Sequence, residues 1–270
     1  VCFNAPAAFA QDAPVALDEV VITAQRRSEN LQKTPLTVSA VTGDKLESQG
    51  VKTVVDLAAQ VPSLQITSSG AGTAQVFLRG IGSTNTTEVG DPAVAYHIDG
   101  IYQARSSSLG ALFYDVDRVE VLRGPQGTLY GRNATAGAIN VITKKPVLGE
   151  YQGSGSLDVG NYSAITTSGM INVPVGDTLA VRASFQQSRH DGYVNAVNSG
   201  PGTGGNDRYD QDDKSARVRV LWKPTDNFSL LLNADYLHQG GAGGGDGTYG
   251  TSRVTGDPWT CNCSTNLYRN

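Results

Sequence analysis

Beyond Tyr151 the chain alternates apolar and polar residues with a period of two, five times in succession. Tyr151, Gly153, Gly155, Leu157 and Val159 oppose Gln152, Ser154, Ser156 and Asp158. Ile165, Thr167, Gly169, Ile171 and Val173 then oppose Thr166, Ser168, Met170 and Asn172. A third segment sets Leu179, Val181, Ala183 and Phe185 against Arg182, Ser184 and Gln186. A fourth sets Ala216, Val218, Val220 and Trp222 against Arg217, Arg219 and Lys223. In the fifth, Phe228, Leu230, Leu232, Ala234 and Tyr236 alternate with Ser229, Asn233 and Asp235, interrupted by Leu231 and Leu237. Successive side chains of a β-strand point to opposite faces, so this pattern predicts five antiparallel strands with one apolar face.

A soluble sandwich and a membrane barrel both alternate in this way. The connections distinguish them. "VPVGDT" and "KPTDN" are short, whereas 190–212 and 239–270 are long. Outer-membrane barrels pair short periplasmic turns with long external loops, although "GNYS" is brief for an external one. Tyr151, Trp222 and Phe228 lie near strand ends at the level of the short turns, and Tyr236 towards the other level. They have the arrangement of an interfacial aromatic girdle. The pattern predicts a barrel wall.

The preceding 36–147 reads as an α+β unit, a small mixed sheet with short helices. "LTVSAV" (36–41) alternates as a strand, and "GDKLESQG" (43–50) is a short helix closed by Gly50. "TVVDLAAQVP" (53–62) is a second helix, capped by Thr53 and Asp56 and stopped by Pro62. Four strands follow, at 75–80, 94–102, 117–124 and 137–145, separated by polar, glycine-rich loops at 67–74, 82–92 and 103–112. "RGPQGTLYGRNATAGAINVIT" (123–143) concentrates glycines and small residues, the mark of tight turns or of a close approach to the backbone.

Ahead of this unit, 11–35 is polar and proline-marked except for "DEVVITAQ" (18–25), a β-forming island on a flexible tether. Such an island suits strand addition to another protein's sheet edge, or it is an edge strand of the unit that follows. "NAPAAFAQDAP" reads as the tail of a secretory signal, with Ala8-Phe9-Ala10 as the cleavage site, making 1–10 a signal remnant. The net charge of −4 argues against a nucleic-acid partner, which calls for a basic face. No apolar run approaches the roughly 18 residues of a membrane helix, which says nothing of membrane strands. The three cysteines are too few for a disulfide framework, and Cys261 and Cys263 read as a loop disulfide or two thiols. His97, His190 and His238 lack ligand spacing, so no metal and no cofactor is assigned.

These residues bear a specific resemblance. "DEVVITAQ", "VFLRGIG", "VAYHIDGIYQAR" and above all "DVDRVEVLRGPQGTLYGRNATAGAINVITKKP" are similar to the TonB box and plug strands of a TonB-dependent outer-membrane receptor. The resemblance covers nearly everything from Asp18 onward. It implies a flexible segment at 11–35, a plug domain at 36–147 and about five truncated barrel strands at 148–270. Those strands would be a fragment of a barrel of about 22 strands, lodged in outer-membrane lipid with the N-terminal segment periplasmic.

The resemblance also implies roles. Asp18, Glu19, Val20, Val21, Ile22, Thr23, Ala24 and Gln25 would bind the TonB protein, which its inner-membrane complex energises. Arg79 and Arg123, each closing an "LRG", would hold the plug through carboxylates of the barrel. Gly80, Gly100, Gly124, Gly127, Gly131 and Gly137 would be plug-turn glycines. Ser83, Thr84, Asn85, Glu88, Asp91, Gln103 and Arg105 are candidate contacts for an extracellular nutrient, by default an iron–siderophore complex. Asp99, Asp117 and Glu120 read as strand-end charges bonded within the plug, and "NDRYDQDD" (206–213) as a solvated loop.

The alternatives are weaker. "GAGTAQ" (70–75) lacks the last glycine of a dinucleotide loop and precedes a strand, and "GPQGTLYGR" lacks the lysine of a phosphate loop. With no nucleophile–base set visible, the chain does not read as an enzyme. A passive porin or an adhesin would use the strands but leaves the tethered island and the plug-like stretch unexplained.

Overall fold

The computed structural model describes residues 21–22, 29–30, 37–69, 73–85, 90–104, 113–193, 195–196, 209–241 and 268–269. In chain order these form β1 (Val21–Ile22), β2 (Glu29–Asn30), β3 (Val38–Thr42), α1 (Gly43–Ser48) and α2 (Val54–Leu57). Next come β4 (Leu64–Ser69), β5 (Thr73–Leu78), β6 (Ile81–Gly82), β7 (Val94–Ile98) and β8 (Ile101–Tyr102). β9 (Val116–Arg123), α3 (Gly127–Tyr130) and β10 (Gly137–Thr143) complete a globular part. The long strands β11 (Gln152–Gly160), β12 (Ala164–Val175) and β13 (Leu179–His190) follow. The short β14 (Asn195–Ala196) precedes β15 (Gln211–Thr225), β16 (Phe228–Gly240) and β17 (Tyr268–Arg269).

The globule is built on a mixed sheet of order β3-β9-β10-β7-β8, in which only β10 and β7 run parallel. A second, antiparallel sheet β4-β5-β6 stands beside it. Val54, Leu57, Val61, Leu64 and Leu78 pack with Val119, Val121 and Ile139 in one buried core that joins the two sheets and the helices. The opposite face of the larger sheet is covered by α3 and its flanking turns, with Ala95, Leu122, Ala138, Tyr130 and Ala134 buried together.

Local chemistry explains where several elements stop. Thr53 and Asp56 form the expected capping box on α2. That helix is shorter than 53–62, however: Ala58, Ala59 and Gln60 donate to Val55, Asp56 and Leu57, three residues back, so the last turn tightens before Pro62. The strand expected over 94–102 is a hairpin. Asp99 and Gly100 both take positive φ, the geometry of a two-residue primed turn that reverses the chain between Ile98 and Ile101. The expected loop 67–74 contributes Thr67–Ser69 to β4 and Thr73–Ala74 to β5.

The strands after Tyr151 form a single antiparallel meander of order β11-β12-β13-β15-β16. Pro224 falls where the β15–β16 register shifts between Trp222 and Thr225, so its missing N–H interrupts no regular ladder. Gln211–Asp213, expected in a solvated loop, lie within β15, and Asp213 is buried because it shares the inner face with Ser215, Arg217 and Arg219. Among the described residues this sheet is an open arc, bounded by β11 and β16.

Candidate functional site

The arc is inside out by the standards of a water-soluble sheet. Its polar face is buried against the globule: Asn172, Arg182, Ser184, Gln186, Ser188, Ser215, Arg217 and Arg219. Its apolar face is bare, with Ile171, Phe185, Leu230 and Leu232 exposed. Val218 is 45% exposed, while its neighbour Arg219 is 2% exposed. No aqueous fold gains by that exchange, because burying apolar surface is the main driving force and burying charge is costly. A lipid-facing wall around a polar lumen requires it. Trp222 and Phe228 meet edge to face at 5.9 Å on this bare side, and Tyr151 and Tyr236 are also exposed.

Guanidiniums from the wall reach carboxylates of the globule. Arg182 on β13 binds Asp115 in a fork, Nε to Oδ2 at 2.7 Å and Nη2 to Oδ1 at 2.5 Å, and its Nη1 donates to Gln152 Oε1 at 3.1 Å. Both side chains of this pair are almost wholly buried, 3% and 6% exposed. Directly across the ladder, Arg219 on β15 pairs with Asp99 and donates to the Thr143 and Lys144 carbonyls at 3.2 and 3.3 Å. Asp99 also accepts from Thr143 N and Oγ1 at 2.9 and 2.8 Å. Asp99 and Asp115 both sit at positive φ, a backbone state that aspartate tolerates better than most residues. The turns they occupy therefore present both carboxylates at the rim of the globule.

Further contacts complete the junction. Arg217 donates to Asp235 Oδ1 at 2.5 Å and lies 4.8 Å over the Tyr114 ring. Burial pushes the Tyr114 hydroxyl up to about 12, against the opposing pull of Arg217. Asn172 accepts from Val147 N at 3.0 Å and donates to the Val147 and Glu150 carbonyls at 2.9 and 2.7 Å, fastening the connector to β12. Lys52 reaches Asp158 and Thr166 at 3.5 and 3.3 Å in a more exposed contact.

Several expected residues lie elsewhere. Asp117 and Glu120 bond to Arg118 inside the globule and Asp99 to Thr143, as anticipated, while Asp99 also bridges to the wall. Arg79 is exposed in the turn after β5 at positive φ. Arg123 binds Ser39 Oγ, while its buried Nε has no partner among the described residues. Gly80, Gly100, Gly124 and Gly131 occupy positive-φ turns, whereas Gly127 opens α3. At Gly137 the constraint is approach, since a Cβ there would run into the Leu122 carbonyl and Leu78 Cδ2. Ser83, Thr84 and Asn85 follow β6, with Asn85 N donating to Ser83 Oγ at 3.3 Å and Gln75 to Thr84 O at 3.3 Å. Asp91 pairs with Arg132 and Asn133, and Gln103 lines a cavity of about 210 Å³ between the globule and β15–β16. Among the described residues these candidates share no single pocket. Glu88, Arg105, Cys261 and Cys263 lie outside the described residues, as do Asp18–Val20 and Thr23–Gln25. Val21 and Ile22 pair with Asn30 and Glu29 in a ribbon apart from both globule sheets.

Comparison with known proteins agrees with this architecture. Residues 30–138 match the family model described as TonB-dependent Receptor Plug Domain. Residues 30–138 are thus a TonB-dependent receptor plug domain, followed by antiparallel strands of a barrel that is not closed among the described residues, and the chain is similar to TonB-dependent outer-membrane receptors. It is similar to the iron-regulated outer membrane virulence protein of Vibrio cholerae serotype O1, 30% identical over 204 residues, 68% of this chain and 29% of that protein. The vitamin B12 transporter BtuB of the same species is 29% identical over 231 residues, 80% of this chain and 35% of the transporter. Among solved structures, the ferric yersiniabactin uptake receptor FyuA of Yersinia pestis matches with a TM-score of 0.57 at 29% identity, covering 71% of this chain and 29% of FyuA. The chain therefore spans about a third or less of each of these relatives. It groups with receptors and transporters rather than with enzymes.

Proposed function

We propose that the receptor carrying this chain imports a scarce nutrient, an iron–siderophore complex, through a barrel that the plug keeps shut until TonB pulls on it. The observation that carries this reading is the junction itself. A lumen face tied to the plug by two aspartate–arginine pairs, one of them almost wholly buried, couples plug and wall, so moving the plug requires work to break them. Two of the compared relatives carry iron in their descriptions, which supports the cargo; the B12 transporter makes cobalamin the outcome to exclude.

In this reading the turns Gly176–Thr178 and Asp226–Asn227 face the periplasm, and the opposite ends of the strands face outward. The Asp18–Gln25 segment is the TonB box, joining TonB by backbone hydrogen bonds at a sheet edge. A ligand that favours one plug state over another would release it. Arg79 and Arg123 turn to carboxylates elsewhere in the barrel, and the partnerless Arg123 Nε supports that role. A synthetic Asp18–Gln25 peptide should bind the TonB C-terminal domain and lose binding on Val21→Pro. A deletion strain should lose growth on ferric siderophores as sole iron source. Binding that survives the proline, or a defect seen with cobalamin alone, overturns the reading.

A further inference from the structure

The face of the arc that points away from the plug is uncharged over most of its height and charged at one corner. From Leu179 and Trp222, which pair in register beside the short turns, the outward positions of β13 and β15 stay uncharged up to Phe185 and Ala216. The next two rows change character. Gln187 pairs with Lys214 and Arg189 with Asp212, while His238 on β16 stands across from Lys214. Lys214 Nζ donates to Asp212 Oδ2 at 3.0 Å, and both side chains are about half exposed. Arg189 is exposed beside the same carboxylate and makes no hydrogen bond among the described residues.

Depth puts this corner at a membrane surface. Ten residues separate Leu179 from Arg189 along β13. At a rise of about 3.4 Å per residue and a tilt of roughly 40°, they span a height of about 26 Å, close to the roughly 25 Å of a barrel's apolar band. Ordinary headgroup contact does not account for the charges, because it would place them at both edges and on every strand. The row at the short turns, Val175–Leu179–Trp222–Leu230, carries none. The row at the other edge, Val159–Ile165–Arg189–Asp212, is apolar on two strands and charged on the next two. Val159 and Ile165 are exposed, as is Leu157 one row below. The corner therefore sets cations beside an apolar surface at a single edge of the band.

From this arrangement we infer that the corner formed by β13, β15 and β16 is a docking surface for a phosphorylated glycolipid of the outer leaflet, its phosphate on Arg189 and Lys214 and its acyl chains along Leu157, Val159 and Ile165. The Arg189 guanidinium offers a planar fork that matches two phosphate oxygens at once. The Lys214 ammonium has three donors, of which Asp212 engages one. A phosphate monoester carries close to two negative charges near neutral pH and suits a pair of cations, whereas the diester of a phospholipid carries one. A lipid confined to one leaflet also matches cations confined to one edge. The inference rests on the transport reading only for which end faces outward.

The test uses the delipidated full-length receptor in a non-ionic detergent, with bisphosphorylated lipid A as the probe. Native mass spectrometry should show saturable binding, at least tenfold tighter than that of the same lipid stripped of phosphate or of phosphatidylglycerol. Arg189→Gln and Lys214→Gln should each weaken it about fivefold, the loss expected for one cation at a lipid surface. Lys223→Gln removes a charge beside the short turns and should leave binding unchanged. Arg189→Lys, which keeps the charge, provides a second reading if a glutamine variant loses the heat-modifiable migration of a folded barrel, and it should retain most of the affinity. The assay of the Asp18–Gln25 peptide on TonB involves none of these residues, so the transport reading and this one can fail separately. Absence of saturable binding, binding indifferent to both glutamine variants, an equal loss in Lys223→Gln, or phosphatidylglycerol held as tightly as lipid A overturns the inference.

Discussion

Arg182 and Asp115 are both nearly inaccessible to water, so each relies on the other for the solvation it has lost. Removing one charge from such a pair strands its partner. Arg182→Ala in the full receptor should lower plug stability by about 3–5 kcal/mol, read as a shift in the denaturant midpoint of a plug-specific probe. Combining it with Asp115→Ala should cost less than the sum of the single changes, because the stranded carboxylate is gone. Lys52 and Asp158 make a similar-looking contact in the open, and Lys52→Ala should cost no more than about 1 kcal/mol. Equal losses for Arg182→Ala and Lys52→Ala would show that burial does not govern this junction. The same measurement on Arg79→Ala and Arg123→Ala checks their proposed hold on the rest of the barrel, which unchanged midpoints would remove.

At the scale of elements, the period-two strands were legible because one physical demand, a fixed face for each side chain, governs the strand positions 152–160, 164–175, 179–190, 211–225 and 228–240. The capping box on α2 was legible for a similar reason: Thr53 and Asp56 carry their own partners. β4 was not, since "LQITSS" ends in polar residues whose extended form is set by pairing with β5 across the chain. The β7–β8 reversal is written in "DG", but the apolar strand formers on both flanks make the stretch read as one continuous strand. The arginine–aspartate junction needs tertiary knowledge: nothing in the local sequence says that Arg182 and Arg219 face each other, or that Asp99 and Asp115 meet them. Gly137 tests the element in which turn and close approach combine. Gly137→Ala should destabilise the plug by about 1–3 kcal/mol through overpacking against Leu122 and Leu78, measured by denaturation. Gly127, with open space around its Cβ position and no positive φ, should tolerate alanine with little change.

Across the whole molecule, the reversed burial of the wall carries a consequence that depends on depth. Val218 stands near the middle of β15, pairs in register with Ala183 and Ala234, and points away from the plug. Gln187 points the same way on β13 but lies close to the outer ends of the strands. If the bare face meets hydrocarbon, a charge at the first position must enter the bilayer midplane, while at the second it reaches the headgroups. Val218→Arg should then reduce the folding stability of the full barrel in phospholipid vesicles by about 2–4 kcal/mol, and Gln187→Arg by about 0–1 kcal/mol. In water both positions are simply exposed, and both changes would cost little and equally, because isolated surface substitutions seldom exceed about 0.5 kcal/mol. Refolding titrations of the two variants side by side therefore separate a lipid-embedded wall from a solvated one, and equal, small effects would remove the membrane from the account of this fold.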